Sequence, residues 1–230
     1  MKPQLQRIGN SQSPIVIIDG FSGAVDGIAR IAEALAPFPP VVGVSYPGVR
    51  RIIGPADEQA YAYALATSER VAPFVGGAFG VSSFELTEAS FSVVSTPPDA
   101  LQPVQQVPHF DSPDPTIFAM LHYLRVPKDS GTAFYRHRST GIERVTNDNI
   151  GRLADSAELE LARRPPASGY ISGSTEIFEQ ICSIEAVPDR LIIYHGCLLH
   201  SGLIPGDMTF SADPREGRLT ANFFIRGGCE

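Results

Sequence analysis

The pattern of apolar and polar residues changes character near residue 79 of the chain. Before this point, residues 14–21 have the pattern of a buried strand, and apolar positions at helical spacing follow from Val25 to Leu35. A second helix is predicted from Asp57 to about residue 71. After it, short apolar or alternating runs are separated by Pro, Gly, Asp and Ser, which is typical of strands joined by turns. The predicted strands are FELTEASFSVVS, LQPVQQV, TIFAMLHYLRV, GTAFYRH, TEIFEQICSIEAV, RLIIYHG and RLTANFFIRG.

Strands that follow one another without helices between them indicate an antiparallel fold and disfavour a parallel β-α-β fold. Residues 146–164 interrupt the strands and are predicted to be a helical or loop insertion. We therefore predict one mainly β domain with flanking helices over residues 1–230. Residues 1–78 would form an N-terminal layer of a strand and helices, packed on a sandwich or jelly roll made by residues 79–230.

Composition narrows the range of partners. A chain of 230 residues with 43% hydrophobic content can bury a large core. The net charge of −7 and the absence of a basic stripe make nucleic acid and anionic membranes unlikely partners. Cys182, Cys197 and Cys229 are far apart in sequence, which argues against a disulfide framework or a structural zinc site. The apolar run IVII is too short for a signal peptide, so a cytoplasmic location is expected.

His109 and Asp111 form a His-x-Asp triplet in a Pro-rich loop before the predicted strand TIFAMLHYLRV. In extended backbone, residues two apart project to the same side, so both side chains can face one point. They are either polar groups that cap a turn or two ligands of a metal site.

A third ligand has to come from a distant part of the chain. The remaining histidines are His122, His137, His195 and His200. His122 alternates with apolar residues, which favours a core position, and His137 lies in a basic cluster at a strand end. His195 and His200 flank a turn in RLIIYHGCLLHSGLIP, and one of them is well placed to return to the triplet.

The last predicted strand, GRLTANFFIRG, has Arg218, Thr220 and Asn222 on one face and apolar residues on the other. One interpretation is a half-exposed strand with its polar face in solvent. The other is a pocket for an anion, because a guanidinium group binds a carboxylate through two hydrogen bonds and a nearby hydroxyl can add a third.

Five short motifs follow one another in a characteristic order between residues 102 and 226. They are HFD at 109–111, YL at 123–124, SGTAF at 130–134, HSGLIP from 200 and GRLTANFF from 217. This order resembles the iron(II)- and 2-oxoglutarate-dependent dioxygenase superfamily, especially its prolyl-hydroxylase-like branch. It is also similar to an uncharacterised group of bacterial proteins within that superfamily.

The resemblance implies a double-stranded β-helix, the jelly roll of that superfamily, with iron(II) bound by His109, Asp111 and His200. It implies 2-oxoglutarate as cosubstrate and O2 as oxidant. The reaction would most simply hydroxylate a small molecule or an amino-acid side chain, free or in a peptide. His195, five residues before His200, would then have a structural or supporting role.

The same resemblance places Arg218 on the distal carboxylate of 2-oxoglutarate, with hydrogen bonds added by Tyr123 and Thr220. The 17 residues between His200 and Arg218 exceed the usual link in that superfamily, so they are predicted to include an exposed loop insertion.

Basic residues in two segments are candidates for contact with the substrate. Arg136 and His137 follow a strand expected to face the iron, and we predict that they line the substrate site. Tyr46, Arg50 and Arg51 in SYPGVRRII either line the mouth of the site or are solvated loop side chains.

Two other functions compete with an oxygenase. One is a catalytically inactive jelly-roll protein that binds a ligand or serves as an accessory protein. The other is a cupin-like metalloenzyme that does not use 2-oxoglutarate. The orientation of Arg218 distinguishes the oxygenase from the cupin-like enzyme. A guanidinium that points into the barrel favours an enzyme that uses 2-oxoglutarate, and one that faces solvent favours the cupin-like enzyme.

Overall fold

Two antiparallel sheets form the body of the protein. The computed structural model describes residues 3–41 and 46–228. In chain order the strands are β1 (Pro3–Ile8), β2 (Ser13–Ile18), β3 (Gly48–Ile52), β4 (Ser83–Val94), β5 (Ile117–Arg125), β6 (Gly131–His137), β7 (Phe178–Glu185), β8 (Leu191–His195), β9 (His200–Leu203) and β10 (Arg218–Gly228). The helices are α1 (Val25–Ala34), α2 (Glu58–Phe79) and α3 (Ile150–Arg163).

The larger sheet has seven strands in the order β1-β2-β8-β5-β10-β4-β3, and the smaller has three in the order β7-β6-β9. Every neighbouring pair is antiparallel. Neighbours in the larger sheet come from distant parts of the chain, so β2 pairs with β8 and β4 pairs with β10. The result is a mostly β, jelly-roll-like arrangement with three α-helices.

Both faces of the larger sheet are buried. Phe118 and Met120 of β5 belong to an apolar cluster shared with α1 and α2, whereas Ala119 and Tyr123 belong to a cluster shared with the smaller sheet. Strands buried on both sides have nearly continuous apolar sequences, which explains the runs in β5 and β8. A third cluster packs α3 and the segment after it on the far side of the smaller sheet.

Helix α2 is longer than predicted. Its buried stripe of Ala60, Ala64, Val71 and Val75 continues beyond residue 71, where the prediction ended. The helix passes through Pro73 and ends at Gly80, which has a left-handed backbone (φ 69°) and donates its N–H to the carbonyl of Gly76. The stripe keeps facing the sheet, so packing outweighs the cost of an internal proline.

Six of the seven predicted strands are confirmed, and the predicted strand in LQPVQQV is wrong. This segment forms a 3₁₀ turn at Pro103–Gln106, after a first one at Pro98–Ala100. Pro103 opens the second turn, and Gln102 and Gln105 cap it reciprocally. The insertion at residues 146–164 is helical, as α3 shows.

In the described part of the chain, no helix combines the length and the apolar character required to cross a bilayer. Cys182 and Cys197 are free thiols, and Cys229 lies outside the described residues.

Asp189, in the turn between β7 and β8, joins three parts of the fold. Its carboxylate accepts hydrogen bonds from the backbone N–H groups of Ser22 (2.9 Å) and Gly23 (2.8 Å), which precede α1. It also lies 3.0 Å from Nε2 of His122 in β5, whose Nδ1 lies 2.6 Å from the hydroxyl of Tyr63 in α2. Burial alone would raise the pKa of Asp189, but the hydrogen bonds from His122, Ser22 and Gly23 together lower this pKa well below its usual value.

We expect Asp189→Ala to lower the free energy of unfolding by about 3 kcal/mol at pH 7, because it leaves several buried donors without an acceptor. The folded-state pKa is below the unfolded-state value of about 3.9, so this stabilisation is present above pH 4 and is lost as the pH falls towards the folded-state pKa. Urea unfolding at pH 7 and pH 3 measures both effects. Asp189→Asn is the matched control, since asparagine tolerates the left-handed backbone found there (φ 66°). Equal stability of wild type and Asp189→Ala at pH 7 would contradict the network.

Candidate active site

Backbone pairing brings the His-x-Asp triplet next to the start of β9. The N–H of His109 donates to the carbonyl of His200 (2.9 Å), and the N–H of His200 donates back to the carbonyl of His109 (2.7 Å). Two residues on, the N–H of Asp111 donates to the carbonyl of Gly196 (2.8 Å). The imidazole rings of His109 and His200 are consequently held 4.4 Å apart, centre to centre.

Three possible ligand atoms, one from each of His109, Asp111 and His200, lie within 4.8 Å of one another. Nδ1 of His200 lies 2.8 Å from the carbonyl oxygen of Leu198, which can only accept, so Nδ1 carries the proton. The lone pair of His200 is therefore on Nε2, which lies 3.7 Å from Oδ2 of Asp111. Two imidazoles and one carboxylate are a donor set that suits iron(II) in an octahedral site with open positions.

The electrostatics of the cluster keep His109 neutral. Burial, followed by the charges of His200 and Arg50, lowers the pKa of His109 to about 3. Burial raises the pKa of Asp111, while His200 and Arg50 act in the opposite direction. The side chain of Asp111 is only 18% exposed, although the residue as a whole is exposed, so its backbone faces solvent and its carboxylate faces the histidines.

A cavity of about 120 Å³ lies beside this cluster and is lined by residues of both sheets. Its walls include apolar side chains such as Ala119, Leu121 and Phe224, which lie on the face of the larger sheet that is turned towards the smaller sheet. The polar side chains around it, apart from the cluster itself, include Tyr46, Arg50, Gln105, Thr132, Tyr170, Tyr194, Arg218, Thr220 and Asn222. A cavity that combines apolar walls with convergent polar groups is the usual form of a small-molecule site.

Arg218 points into this cavity from the first position of β10 and is 6% exposed. One Nη donates to the carbonyl of Gly131 over 3.4 Å, and Nε has no hydrogen-bond partner among the described residues. The guanidinium lies 5.7 Å from the centre of the Tyr123 ring. In the described part of the chain no carboxylate lies within ion-pair distance of Arg218, so this buried cation can accept an anionic ligand.

Gly131 is the glycine of the SGTAF motif, and the packing of two strands explains why this position is a glycine. A Cβ atom at this position would lie 2.3 Å from the carbonyl oxygen of Ile184 in β7, so the close approach of β6 and β7 requires glycine. This pairing places the carbonyl of Gly131 where Arg218 can donate to it.

Tyr123 and Thr220 differ in their access to the cavity. Thr220 lines it, with its Oγ1 3.4 Å from Oδ1 of Asn222. Tyr123 is fully buried behind the wall, and its hydroxyl lies 2.7 Å from Oγ1 of Thr132, which does line the cavity. Tyr123 can therefore influence a ligand only indirectly, through Thr132 and Arg218, and not by the direct hydrogen bond that was predicted.

The structure does not bring Arg136 and His137 to the cavity. The Arg136 guanidinium is 2.5 Å from Glu143 and 3.0 Å from Glu179. His137 is fully buried, with Nδ1 2.9 Å from Oγ1 of Thr140. They lie apart from the cavity because β6 pairs with β9 only from Gly131 to Phe134, whereas its pairing with β7 continues to His137.

Arg50 and Tyr46 do line the cavity, whereas the neighbouring Arg51 forms an ion pair of 2.6 Å with Asp57. Arg50 is opposite Ser92 in the pairing of β3 with β4, and Ser92 is opposite Thr220 in the pairing of β4 with β10. Side chains directly opposite one another lie on the same face of a sheet, so Arg50 and Thr220 share the face that lines the cavity.

His195 and His122, which were also considered as a third ligand, lie outside the cavity lining. Nδ1 of His195 is 3.1 Å from the carbonyl of Pro115, and its ring packs against Phe118. His122 is fully buried in the network around Asp189. Tyr170 and Tyr194, which also line the cavity, were not singled out by the sequence. The alternation of β8 carries a signal for Tyr194, because Ile192 and Tyr194 share one face.

Solved structures share this fold at low sequence identity. HygX from Streptomyces hygroscopicus, solved with iron bound, matches with a TM-score of 0.55 and 14% identity, over 94% of this chain and 83% of that chain. The non-heme alpha ketoglutarate dependent epimerase SnoN from nogalamycin biosynthesis matches with a TM-score of 0.54 and 14% identity, over 94% and 79% of the two chains. A Pseudomonas putida prolyl-4-hydroxylase matches with a TM-score of 0.52 and 13% identity, over 95% of each chain.

HygX has also been solved with nickel, 2-oxoglutarate and hygromycin B bound. At these identities the similarity establishes the fold alone. No curated protein matches the sequence. One family model matches residues 1–225, and the family it describes is one of unknown function.

Proposed function

We propose that this chain, which belongs to the family of unknown function DUF6445, is an iron(II)- and 2-oxoglutarate-dependent oxygenase that hydroxylates a small molecule or an amino-acid side chain. The observation that carries the proposal is the combination of two features in one cavity. A two-histidine, one-carboxylate cluster lies at its wall, and a buried arginine with no carboxylate partner among the described residues points into it. The proposed fold is a double-stranded β-helix with α1 and α2 as its outer helical layer.

The residues present fit this pair of ligands. His109, Asp111 and His200 are oxygen and nitrogen donors that iron(II) accepts, and they leave half of an octahedron free. 2-Oxoglutarate has a chelating keto acid at one end and a carboxylate at the other. The unpaired Nε of Arg218 and its second Nη are suited to that distal carboxylate.

When bound, iron(II) and 2-oxoglutarate use O2 to convert a C–H bond of the substrate to C–OH and release succinate and CO2. The chain itself supplies position and a protected cavity. Leu198 fixes the protonation of the His200 ring, and Tyr194 packs edge-on against this ring with centres 5.0 Å apart. Thr132 and Thr220 offer hydroxyl groups beside Arg218, and the ring of Tyr123 supports the guanidinium from behind.

The test is an anaerobic titration of the metal-free protein with iron(II) and then with 2-oxoglutarate, followed by visible absorption. Chelation of a keto acid to iron(II) gives a weak charge-transfer band, so we expect a band only when both are present. Succinate and glutarate are the controls. Both have two carboxylates but lack the keto group, so they can pair with Arg218 without forming the keto-acid chelate, and they should give no band.

Each other outcome selects a competing function. Iron(II) binding without the band on addition of 2-oxoglutarate would indicate a cupin-like metalloenzyme. Failure to bind iron(II) would indicate a metal-free binding or accessory protein.

A further inference from the structure

Arg50 is a second cationic side chain in the lining of the cavity, and the oxygenase chemistry proposed above does not use it. It lines the same cavity as His109 and Asp111 of the cluster. Its side chain is 24% exposed, so it lies at the edge of the cavity with its charge only partly hydrated. A partly buried guanidinium is expected to have a hydrogen-bonding or oppositely charged partner.

The partners of Arg50 within the chain leave much of its hydrogen-bonding capacity free. Nε donates to Oγ of Ser92 over 3.2 Å, and the guanidinium packs on the ring of Tyr46 at 4.9 Å from its centre. The nearest carboxylate, that of Glu88, is 3.7 Å from Nη1, which is beyond hydrogen-bond distance, and its side chain is 37% exposed. The facing oxygen, Oε1, is buried and makes no hydrogen bond to a described residue, so Glu88 is a long-range ion-pair partner that leaves the hydrogen-bonding positions of Nη1 and Nη2 free.

The groups around Arg50 are also donors. The hydroxyl of Tyr46 is buried and makes no well-formed hydrogen bond to a described residue. Burial raises the pKa of Tyr46, so its hydroxyl keeps its proton and can donate. Asn222 donates from Nδ2 to Oγ of Ser92 over 2.7 Å, so Ser92 accepts from both Asn222 and Arg50.

Charge balance in the cavity favours an anion at this place. Under the proposed function, the charges of iron(II) and Arg218 balance those of Asp111 and the two carboxylates of 2-oxoglutarate. Arg50 is then the remaining cation of the described cavity lining, and its nearest acid, Glu88, lies outside the lining at 3.7 Å. A substrate that enters beside the loaded centre therefore meets a net positive charge.

We propose that Arg50, assisted by Tyr46, binds an anionic group of the substrate, so that the substrate is a small molecule bearing a carboxylate or a phosphate. This inference rests on the proposed function and specifies the substrate class of the same site. Arg50 fixes the position of the anionic group, and the apolar walls formed by residues such as Leu121 and Phe224 contact the rest of the molecule. The C–H bond presented to the metal is then close to that anionic group.

The experiment measures the binding of matched probes to protein loaded with nickel(II) and 2-oxoglutarate, in which nickel replaces iron to prevent turnover. The probes are phenylacetate, phenyl phosphate and the neutral phenylacetamide, and calorimetry gives their dissociation constants. We expect an anionic probe to bind and phenylacetamide to bind at least about 10-fold more weakly. Preference between the two anions identifies the carboxylate or the phosphate as the natural group.

Three variants test the residue. Arg50→Gln should weaken the preferred anion about 20-fold and leave phenylacetamide unchanged, because only the charged contact is lost. Glu88→Gln should leave anion binding unchanged or strengthen it, since it removes a competing carboxylate. Arg51→Gln is the matched control, as Arg51 pairs with Asp57 instead of lining the cavity, and it should bind like wild type.

Failures of the two proposals are separable. Protein that does not take up nickel(II) and 2-oxoglutarate contradicts the oxygenase. Loaded wild-type protein that binds no anionic probe at millimolar concentration, or binds the amide equally well, contradicts only the role of Arg50. An Arg50→Gln variant that loses 2-oxoglutarate as strongly as an Arg218 variant would place Arg50 in the cosubstrate site and overturn the inference.

Discussion

His109→Ala is expected to lower the affinity for iron(II) by at least about 100-fold and to remove turnover. Even groups that only orient metal ligands are worth about 10-fold to 100-fold in affinity, so the loss of one of three direct donors should cost more. Asp111→Ala is expected to act in the same way, because the carboxylate is the charged member of the cluster. Calorimetric titration with iron(II) under anaerobic conditions measures the affinity, and 2-oxoglutarate consumption measures turnover.

The fold should survive the substitution of His109. The pairing of residue 109 with His200 uses backbone groups only, and alanine retains both of them. Circular dichroism and the melting temperature of the metal-free proteins check this point.

His195→Ala is the matched control for His109→Ala. It also removes a partly buried imidazole, but one that contacts Pro115 and Phe118 instead of the cluster. Its iron(II) affinity should stay within about 2-fold of wild type, since no donor is lost. If His109→Ala binds iron(II) like wild type while His195→Ala does not, the cluster of His109, Asp111 and His200 is not the metal site.

Two strands that the sequence did not predict are the edges of the larger sheet. β1 has the sequence PQLQRI and is almost entirely exposed, and β3 has the sequence GVRRI. An edge strand with polar side chains lacks the apolar runs that identify β5 or β8, and charged side chains at an edge also hinder pairing with other chains. Local pattern therefore identifies the centre of this sheet and misses its margins.

The parts of the site that could be predicted are those carried by local motifs. His109 and Asp111 are two residues apart, and their shared direction follows from extended backbone alone. For Arg50 the sequence left two alternatives open, a place at the mouth of the site or a place in a solvated loop. Its position in the cavity depends on the pairing of β3 with β4, which the sequence does not reveal. Arg136 was misplaced because its partner, the buried Glu143, lies beyond the end of β6 in an irregular segment.

Glu143 explains why Arg136 has a structural role and does not contact the cavity. Its carboxylate accepts hydrogen bonds from the backbone N–H groups of Asn10 and Ser11, both 2.9 Å, in the turn between β1 and β2. Arg136 neutralises this buried charge at 2.5 Å. A nearly buried carboxylate requires such a partner, so Arg136 is held there and is not available to a substrate.

Arg218→Ala is expected to weaken 2-oxoglutarate at least about 100-fold while changing iron(II) affinity less than about 3-fold. Truncating one member of a buried, hydrogen-bonded charge pair costs about 2–5 kcal/mol, which supports a loss of this size. The metal donors are untouched, because Arg218 reaches Gly131 and Tyr123 and not the histidines. Anaerobic titration of the iron(II)-loaded variant with 2-oxoglutarate, read from the charge-transfer band, gives the affinity.

Arg215→Ala is the matched control, since Arg215 is three residues away, 66% exposed and paired with Asp213. It should bind 2-oxoglutarate like wild type. Arg218→Lys keeps the charge but not the two-pronged geometry, so it should recover part of the affinity if the guanidinium holds a carboxylate. An Arg218→Ala protein that folds, binds iron(II) and keeps wild-type affinity for 2-oxoglutarate would remove Arg218 from the cosubstrate site. The buried guanidinium, which has no carboxylate partner among the described residues, would then have to serve another anion, and the cupin-like alternative would gain.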